Sequence, residues 1–195
     1  MIVAVIDTET TGLPGKTPQH LIRLTEIGAT LVNTADPAWR GPTFSALIRT
    51  ARWVLEAPEV ASALALSDIG DELRRGGGEE RAAVEEWFHA WLQKHRPERW
   101  TAYNVDFDAR FLTAWPLPPI AGCLKLWSHA AIDRLSPGRL PKHPDGTSKW
   151  PRAVEAAAWC QERGHAIHSG GEHRALPDAL READIFRALL YEDPR

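Results

Sequence analysis

The sequence predicts an α/β domain built on a mixed sheet, and three observations predict it. The first quarter of the chain reads as three strands. The remainder alternates helical and strand patterns. No repeat and no convincing inter-domain linker divides residues 1–195, so one domain is expected over the whole length. With 44% hydrophobic and 25% charged residues, the chain has the balance of a globular protein with a sizeable core.

Ile2-Val3-Ala4-Val5-Ile6 is a short apolar run rich in β-branched residues, the pattern of a buried strand, and it ends near Asp7–Thr10. Gly12, Pro14, Gly15 and Pro18 mark a loop. Residues 24–32 and 44–50 predict two further strands, joined by a turn over 33–42, giving an antiparallel meander. Residues 58–66 predict a short helix, since proline is tolerated in a first turn. Arg74-Arg75-Gly76-Gly77-Gly78 is expected to be flexible and the point most open to proteolysis.

The clearest helix follows, over 79–96. Acids open it, Lys94, His95 and Arg96 close it, and Pro97 stops it, in keeping with the helix dipole. Val84, Trp87, Phe88, Trp91 and Leu92 fall at helical spacing as one apolar stripe, which places both tryptophans in the core. Residues 100–105 predict a fourth strand leading into a helix around 108–115. Residues 123–127 predict a fifth strand, with a helix over 128–135 behind it. A Pro-, Gly- and Lys-rich loop over 136–150, a helix over 151–163 closed by Gly164, a loop over 165–172 and a last helix over 176–191 complete the chain.

Several function classes are excluded or made remote. No apolar run is long enough to cross a bilayer, so no membrane role is expected. The opening residues carry no basic leader or small-residue cleavage site, which predicts no signal peptide and, by default, a cytoplasmic location. Cys123 and Cys160 are too few for a disulfide scaffold and sit in apolar surroundings, as two reduced, buried thiols would. The net charge of −3 does not by itself mark a nucleic-acid binder. Residues 123–152, however, carry Lys125, Arg134, Arg139, Lys142, Lys149 and Arg152 against only Asp133 and Asp145. A local basic face of that kind is what phosphate contact needs.

Three segments carry chemistry. Asp7 and Glu9 lie two apart on a strand, so their side chains share a face. Two acids ending a buried strand are costly unless something pairs with them, although a solvated strand end would also account for them. The Thr10-Thr11-Gly12-Leu13 loop that follows can bring backbone N–H groups to a ligand. Asn104-Val105-Asp106-Phe107-Asp108 places more acids at a strand-to-helix junction, where Asp108 could equally be a helix-dipole partner. Phe107, Phe111 and Leu112 would anchor that helix on the core. His173-Arg174-Ala175-Leu176-Pro177-Asp178 sets a histidine in a glycine-rich loop and an acid in the next helix's first turn. A loop histidine and a simple N-terminal helix acid are the plainer readings of that pair.

Taken together, the three segments resemble the motifs of the DnaQ-like, or DEDDh, 3′→5′ exonuclease family, the group of the bacterial polymerase III epsilon subunit, the TREX enzymes and ribonuclease T. Asp7-Thr8-Glu9 within DTETTGL matches its D-x-E motif, and Asn104, Phe107-Asp108 and Phe111-Leu112 match the second. His173, Ala175 and Asp178 match H-x-A-x-x-D, in the string HRALPDA. Two positions depart from the pattern. Tyr103 stands where the family often has histidine, and Asp106 adds an acid that the FD pairing leaves without a metal role.

The resemblance implies a ribonuclease H-like fold with a five-stranded mixed sheet flanked by helices. It implies that Asp7, Glu9, Asp108 and Asp178 hold two divalent cations, Mg²⁺ or Mn²⁺, and that His173 takes the proton of the attacking water. Hard cations favour oxygen ligands, in keeping with four carboxylates and no cysteine. Thr10, Thr11, Gly12, Leu13, Asn104 and Phe107 would then contact the terminal nucleotide of a single-stranded DNA or RNA 3′ end. The stretch 134–152, with Trp150, is a candidate grip on the upstream strand, and a solvated loop is the alternative. DNA is the first expectation, with RNA 3′-end trimming or a proofreading subunit acting with a polymerase as alternatives. No polymerase- or clamp-docking tail is evident, and oligomeric state is not legible. Two rivals from other classes are a catalytically silent binding protein on the same fold and a zinc protein using His165, His168 and His173.

Overall fold

Strand β1 (Ile2–Thr10) is the centre of the sheet, and its composition explains why. Val3, Ala4, Val5 and Ile6 are all fully buried, which requires cover on both faces. The chain is a computed structural model that describes residues 1–66, 68–170 and 173–192. Of the loop expected at 165–172, positions 171 and 172 lie outside the described residues. With β2 (Leu24–Asn33), β3 (Thr43–Leu47), β4 (Arg99–Ala102) and β5 (Ile120–Cys123), β1 forms a five-stranded sheet in the order β3-β2-β1-β4-β5. β1, β2 and β3 pair antiparallel, whereas β4 and β5 continue the sheet in parallel. This is the mixed sheet that the sequence predicts.

Three short helices follow β3: α1 (Arg52–Leu55), α2 (Ala61–Leu64) and α3 (Ile69–Arg74). Longer ones come after: α4 (Arg81–His95), α5 (Val105–Phe111), α6 (Leu124–Leu135), α7 (Ala153–Glu162) and α8 (Ala175–Glu192). The two faces of β1 feed two cores. Val3 and Val5 pack with Leu124, Ile132, Trp159, Ile185 and other residues of α6, α7 and α8. Ala4 and Ile6 pack with Val84, Phe88, Leu92, Val105 and Leu112, beneath α4 and α5. A smaller cluster of Leu21, Leu55, Val60, Leu64, Ile69 and Leu73 seats the short helices. No helix among the described residues is long and apolar enough to cross a membrane. Cys123 and Cys160 are free and buried.

Four expectations are corrected. The single helix expected at 58–66 is a 3₁₀ turn (Pro58–Val60) and α2, with α1 and α3 on either side. The fifth strand lies at Ile120–Cys123, and residues 124–127 open α6. Trp87 is 48% exposed, while Val84, Phe88 and Leu92 occupy the buried stripe. The glycine run at 76–78 is tied rather than loose. Glu79 exchanges backbone hydrogen bonds with Leu47 and Arg49, and Gly77 N–H donates to Glu72 O. Gly78, with φ +89°, passes so close that a Cβ would stand 2.8 Å from Arg49 N.

Candidate active site

β1 keeps its strand geometry to Thr10, so Asp7 and Glu9 project on the face that Val3 and Val5 use, toward α8. Gly28 lies opposite Asp7 in the β1–β2 register. A Cβ there would sit 2.2 Å from the Ala175 carbonyl carbon, so only glycine lets the first turn of α8 approach this closely. That approach brings Asp178, in the first turn of α8, up to the two strand acids. Ligand atoms of Glu9, His173 and Asp178 all fall within 4.8 Å of one another. Asp7, Glu9, His173 and Asp178 line a cleft of about 350 Å³, together with Arg152, Ala153, Val154, Arg181 and Glu182.

Asp108 arrives from the other side. β4 pairs with β1 only as far as Val5, and α5 fills the place beside the last part of β1. Asp108 Oδ1 accepts from Thr8 N–H at 3.1 Å and from Thr8 Oγ1 at 2.7 Å. Its burial at 3% exposure, beside an exposed Asp106, distinguishes the two acids of this helix. Asn104 is exposed and accepts from Lys125 Nζ at 2.7 Å, and Phe107 packs on Phe111.

A salt bridge holds the histidine segment. Arg174 donates through Nε and Nη2 to the carboxylate of Glu26, at 2.9–3.2 Å, and Ala175 N–H donates to the same group. Arg174 also reaches Asp68 beside α3. His173 takes a left-handed backbone, φ +59°, and its N–H donates to Asp178 Oδ2 at 3.1 Å. Glu26 faces Glu9 in the strand register, so the guanidinium also offsets a like-charge pair.

In the loop after β1, Thr11 is fully buried. Its N–H donates to Arg23 O and its hydroxyl to Leu21 O. Thr10 Oγ1 donates to Gly12 O, and Gly12 packs against Thr17 with no room for a Cβ. Leu13 is 45% exposed at the loop's tip. Thr11 therefore shapes the loop from inside, and Leu13 is its free apolar surface.

Two charged cleft residues have no counterpart among the sequence expectations. Glu182 is 4% exposed, and its Oε2 accepts from Tyr103 N–H at 2.9 Å. Arg181 Nη2 stands 2.6 Å from Asp178 Oδ1. Both follow Asp178 by three or four residues, the spacing that keeps side chains on one helix face, and that spacing was the available signal. Tyr103, the departure from the usual histidine, donates its hydroxyl to Pro151 O at 2.8 Å and so anchors the chain entering Arg152–Val154. Of the basic stretch, Arg152 reaches the cleft and pairs with Glu155, while Trp150 lies tilted against His129. His165 is held by Glu192, and Glu9, His173 and Asp178 form the metal-capable group found among the described residues.

The acids share one electrostatic problem. Burial, then repulsion from Asp178 and Glu26, pushes Glu9 up to about 8. Burial raises Asp108 to about 7 against the opposing Thr8 hydrogen bonds. Asp7 and Glu182 lie well above the ordinary carboxylate range, through burial and then through Glu182 and Asp108 respectively. Asp178 is raised by burial, and Arg181 works against the rise. Asp7 Oδ2 is buried without a hydrogen-bond partner. An all-oxygen donor set with one imidazole, short of positive charge and with an orphaned carboxylate oxygen, fits hard divalent cations.

No protein-family model matches the chain, and no curated protein matches it. Solved structures do. The nuclease domain of 3′hExo, a DEDDh family member bound to rAMP, is 16% identical with a TM-score of 0.68, over 98% of this chain and 92% of that one. Exonuclease X in complex with 5′ overhanging duplex DNA is 20% identical with a TM-score of 0.58, over 99% and 93%. The Mg²⁺- and Mn²⁺-bound form of S. pombe Pop2p is 18% identical with a TM-score of 0.57, over 96% and 82%. Likeness at these identities speaks for the fold, which is the ribonuclease H-like α/β fold shared with DEDDh exonuclease structures.

Proposed function

We propose that the chain is a metal-dependent 3′→5′ exonuclease of the DEDDh type, acting on single-stranded nucleic acid ends and releasing nucleoside 5′-monophosphates. One observation carries the reading. Three segments far apart in sequence, each matching one motif, meet around one cleft, with Asp7, Glu9, Asp178 and His173 in its wall and Asp108 beside them. The structural neighbours, solved with rAMP, with duplex DNA or with Mg²⁺ and Mn²⁺, support this reading.

Asp7, Glu9, Asp108 and Asp178 would hold two divalent cations. When bound, such cations acidify the attacking water and stabilise charge on the departing 3′-oxygen. The remaining chemistry belongs to the chain. His173 accepts the proton of the water as its oxygen attacks phosphorus and the bond to the 3′-oxygen breaks. The Glu26–Arg174 bridge and the His173 N–H bond to Asp178 keep the imidazole segment beside the carboxylates. Thr8 fixes the orientation of Asp108. Leu13 offers an apolar surface to the terminal base, and Arg152, the residue of the 134–152 stretch that lines the cleft, meets the strand upstream. DNA is the preferred substrate. RNA trimming is the second reading, favoured by the rAMP bound to a neighbour's nuclease domain.

Purified Asp7→Asn and Asp178→Asn should be folded and inactive on a single-stranded oligonucleotide with Mg²⁺ or Mn²⁺. His173→Ala should lose most turnover and still bind Mn²⁺. Wild-type turnover in either carboxylate variant rules out the assignment.

A further inference from the structure

We infer that Glu182 is a fifth carboxylate of the cation centre, serving the ion that Asp7 would hold. The inference rests on the proposed function and extends it to a residue outside the three motifs.

Four observations support it. Glu182 is 4% exposed yet lines the cleft with Asp7, Glu9 and Asp178. It lies one helical turn beyond Asp178, so α8 presents both toward β1. Its Oε2 is fixed by Tyr103 N–H at 2.9 Å, which sets the carboxylate at the wall of the cleft. Asp7 Oδ2, buried across the cleft, has no hydrogen-bond partner.

The cations nearby relieve this pair only in part, Arg181 acting on Glu182 from beside Asp178. Arg181 is paired with Asp178, Arg152 with Glu155, and Arg174 with Glu26. Among the described residues, buried Glu182 and half-buried Asp7 thus face one cleft without an ion pair of their own. With both groups ionised, such an arrangement is costly unless a cation binds. Acceptance of the Tyr103 N–H alone does not require a charge here. The carbonyl oxygen of a glutamine would accept the same bond, with the same shape and without repelling Asp7. What glutamate adds at this position is negative charge beside Asp7.

This separates the two roles by experiment. Glu182→Gln keeps the acceptor and removes the charge, whereas Glu182→Asp keeps the charge and shortens the reach to Tyr103. The full chain, wild type and each variant, is titrated with Mn²⁺ by calorimetry, with folding confirmed by circular dichroism in chelator. Mn²⁺ affinity is expected to fall in the order wild type, Glu182→Asp, Glu182→Gln, with Glu182→Gln weaker than wild type by about 10–100-fold. Affinity in Glu182→Gln equal to or above that in Glu182→Asp would overturn the inference. Asp7→Asn is the control for the underlying centre. If it loses Mn²⁺ while Glu182→Gln does not, the centre stands and Glu182 is structural. If Asp7→Asn binds Mn²⁺ as wild type does, the centre and the inference fall together.

Discussion

Arg174→Met tests how the histidine segment is held, and its effect can be worked from the contacts. Glu26 has a side chain 3% exposed and receives three guanidinium contacts, at 3.2, 3.1 and 2.9 Å, plus Ala175 N–H at 2.9 Å. Methionine preserves the apolar stem and removes the charge, leaving a buried carboxylate held by one N–H and facing Glu9. Breaking a buried pair from one side costs about 3–5 kcal/mol. Arg174 is 28% exposed, so water can enter where the guanidinium was, which argues for the lower end, about 3 kcal/mol. The bond to Asp68, whose side chain is 77% exposed, adds at most about 0.5 kcal/mol. Urea unfolding in chelator measures the loss. Glu26→Gln in the same background should recover part of it, giving a coupling of about 2 kcal/mol in the double-mutant cycle. A loss below about 1 kcal/mol, or additive effects, would refute the buried-bridge reasoning.

Three further outcomes are expected. In chelator, the acids make the protein less stable as pH rises. Their folded pKa values lie above the unfolded ones, so the folded state holds more protons, and stability present below about pH 4 is lost on approach to pH 7–8, where Asp108 and Glu9 titrate. Melting temperature against pH should show this slope, saturating Mn²⁺ should flatten it, and a flat profile in chelator would contradict it. Gly28→Ala should destabilise by about 1–3 kcal/mol and lower turnover, because its methyl meets the Ala175 backbone and lifts α8 from Asp7. Wild-type melting and rate would show that α8 shifts freely. Tyr103→Phe leaves Pro151 O without its donor and should cost about 1–2 kcal/mol by chemical denaturation, and an unchanged midpoint would exclude that anchor.

The parts of the fold with a strong pattern were legible. The Ile2–Ile6 run read as a buried strand, α4 carried both periodicity and terminal signals, and Pro177 marked the start of α8. The region 52–74 was not legible, because helices of four to six residues owe their shape to the Leu21–Leu73 cluster rather than to local preference. The shift of β5 was avoidable. Leu124, Ser128, Ala131 and Ile132, buried in α6, already repeat at helical spacing, but the apolar run at 123–127 hid them. Trp87 sat within the stripe's arc yet faces out, since a helix packed on one sheet buries only a narrow strip.

For the candidate site, local motifs singled out Asp7, Glu9, Asp178 and His173, and Asp108, chosen over Asp106, is the buried one, bonded to Thr8. Glu182 belongs to no motif. It reads as one more polar residue in a charged helix until α8 is laid against β1. The Arg174–Glu26 bridge spans 148 positions, and nothing local announces a pairing at that distance.

The most direct test of the account uses single-stranded DNA and RNA oligonucleotides, labelled at the 5′ end or at the 3′ end, with Mg²⁺ or Mn²⁺ and with chelator. The 5′-labelled strand should shorten one nucleotide at a time, while the 3′ label appears at once as nucleoside 5′-monophosphate. Chelator and Asp7→Asn should each abolish both signals. Immediate release of a 5′ label, cleavage within the strand, or turnover that persists in Asp7→Asn would contradict it.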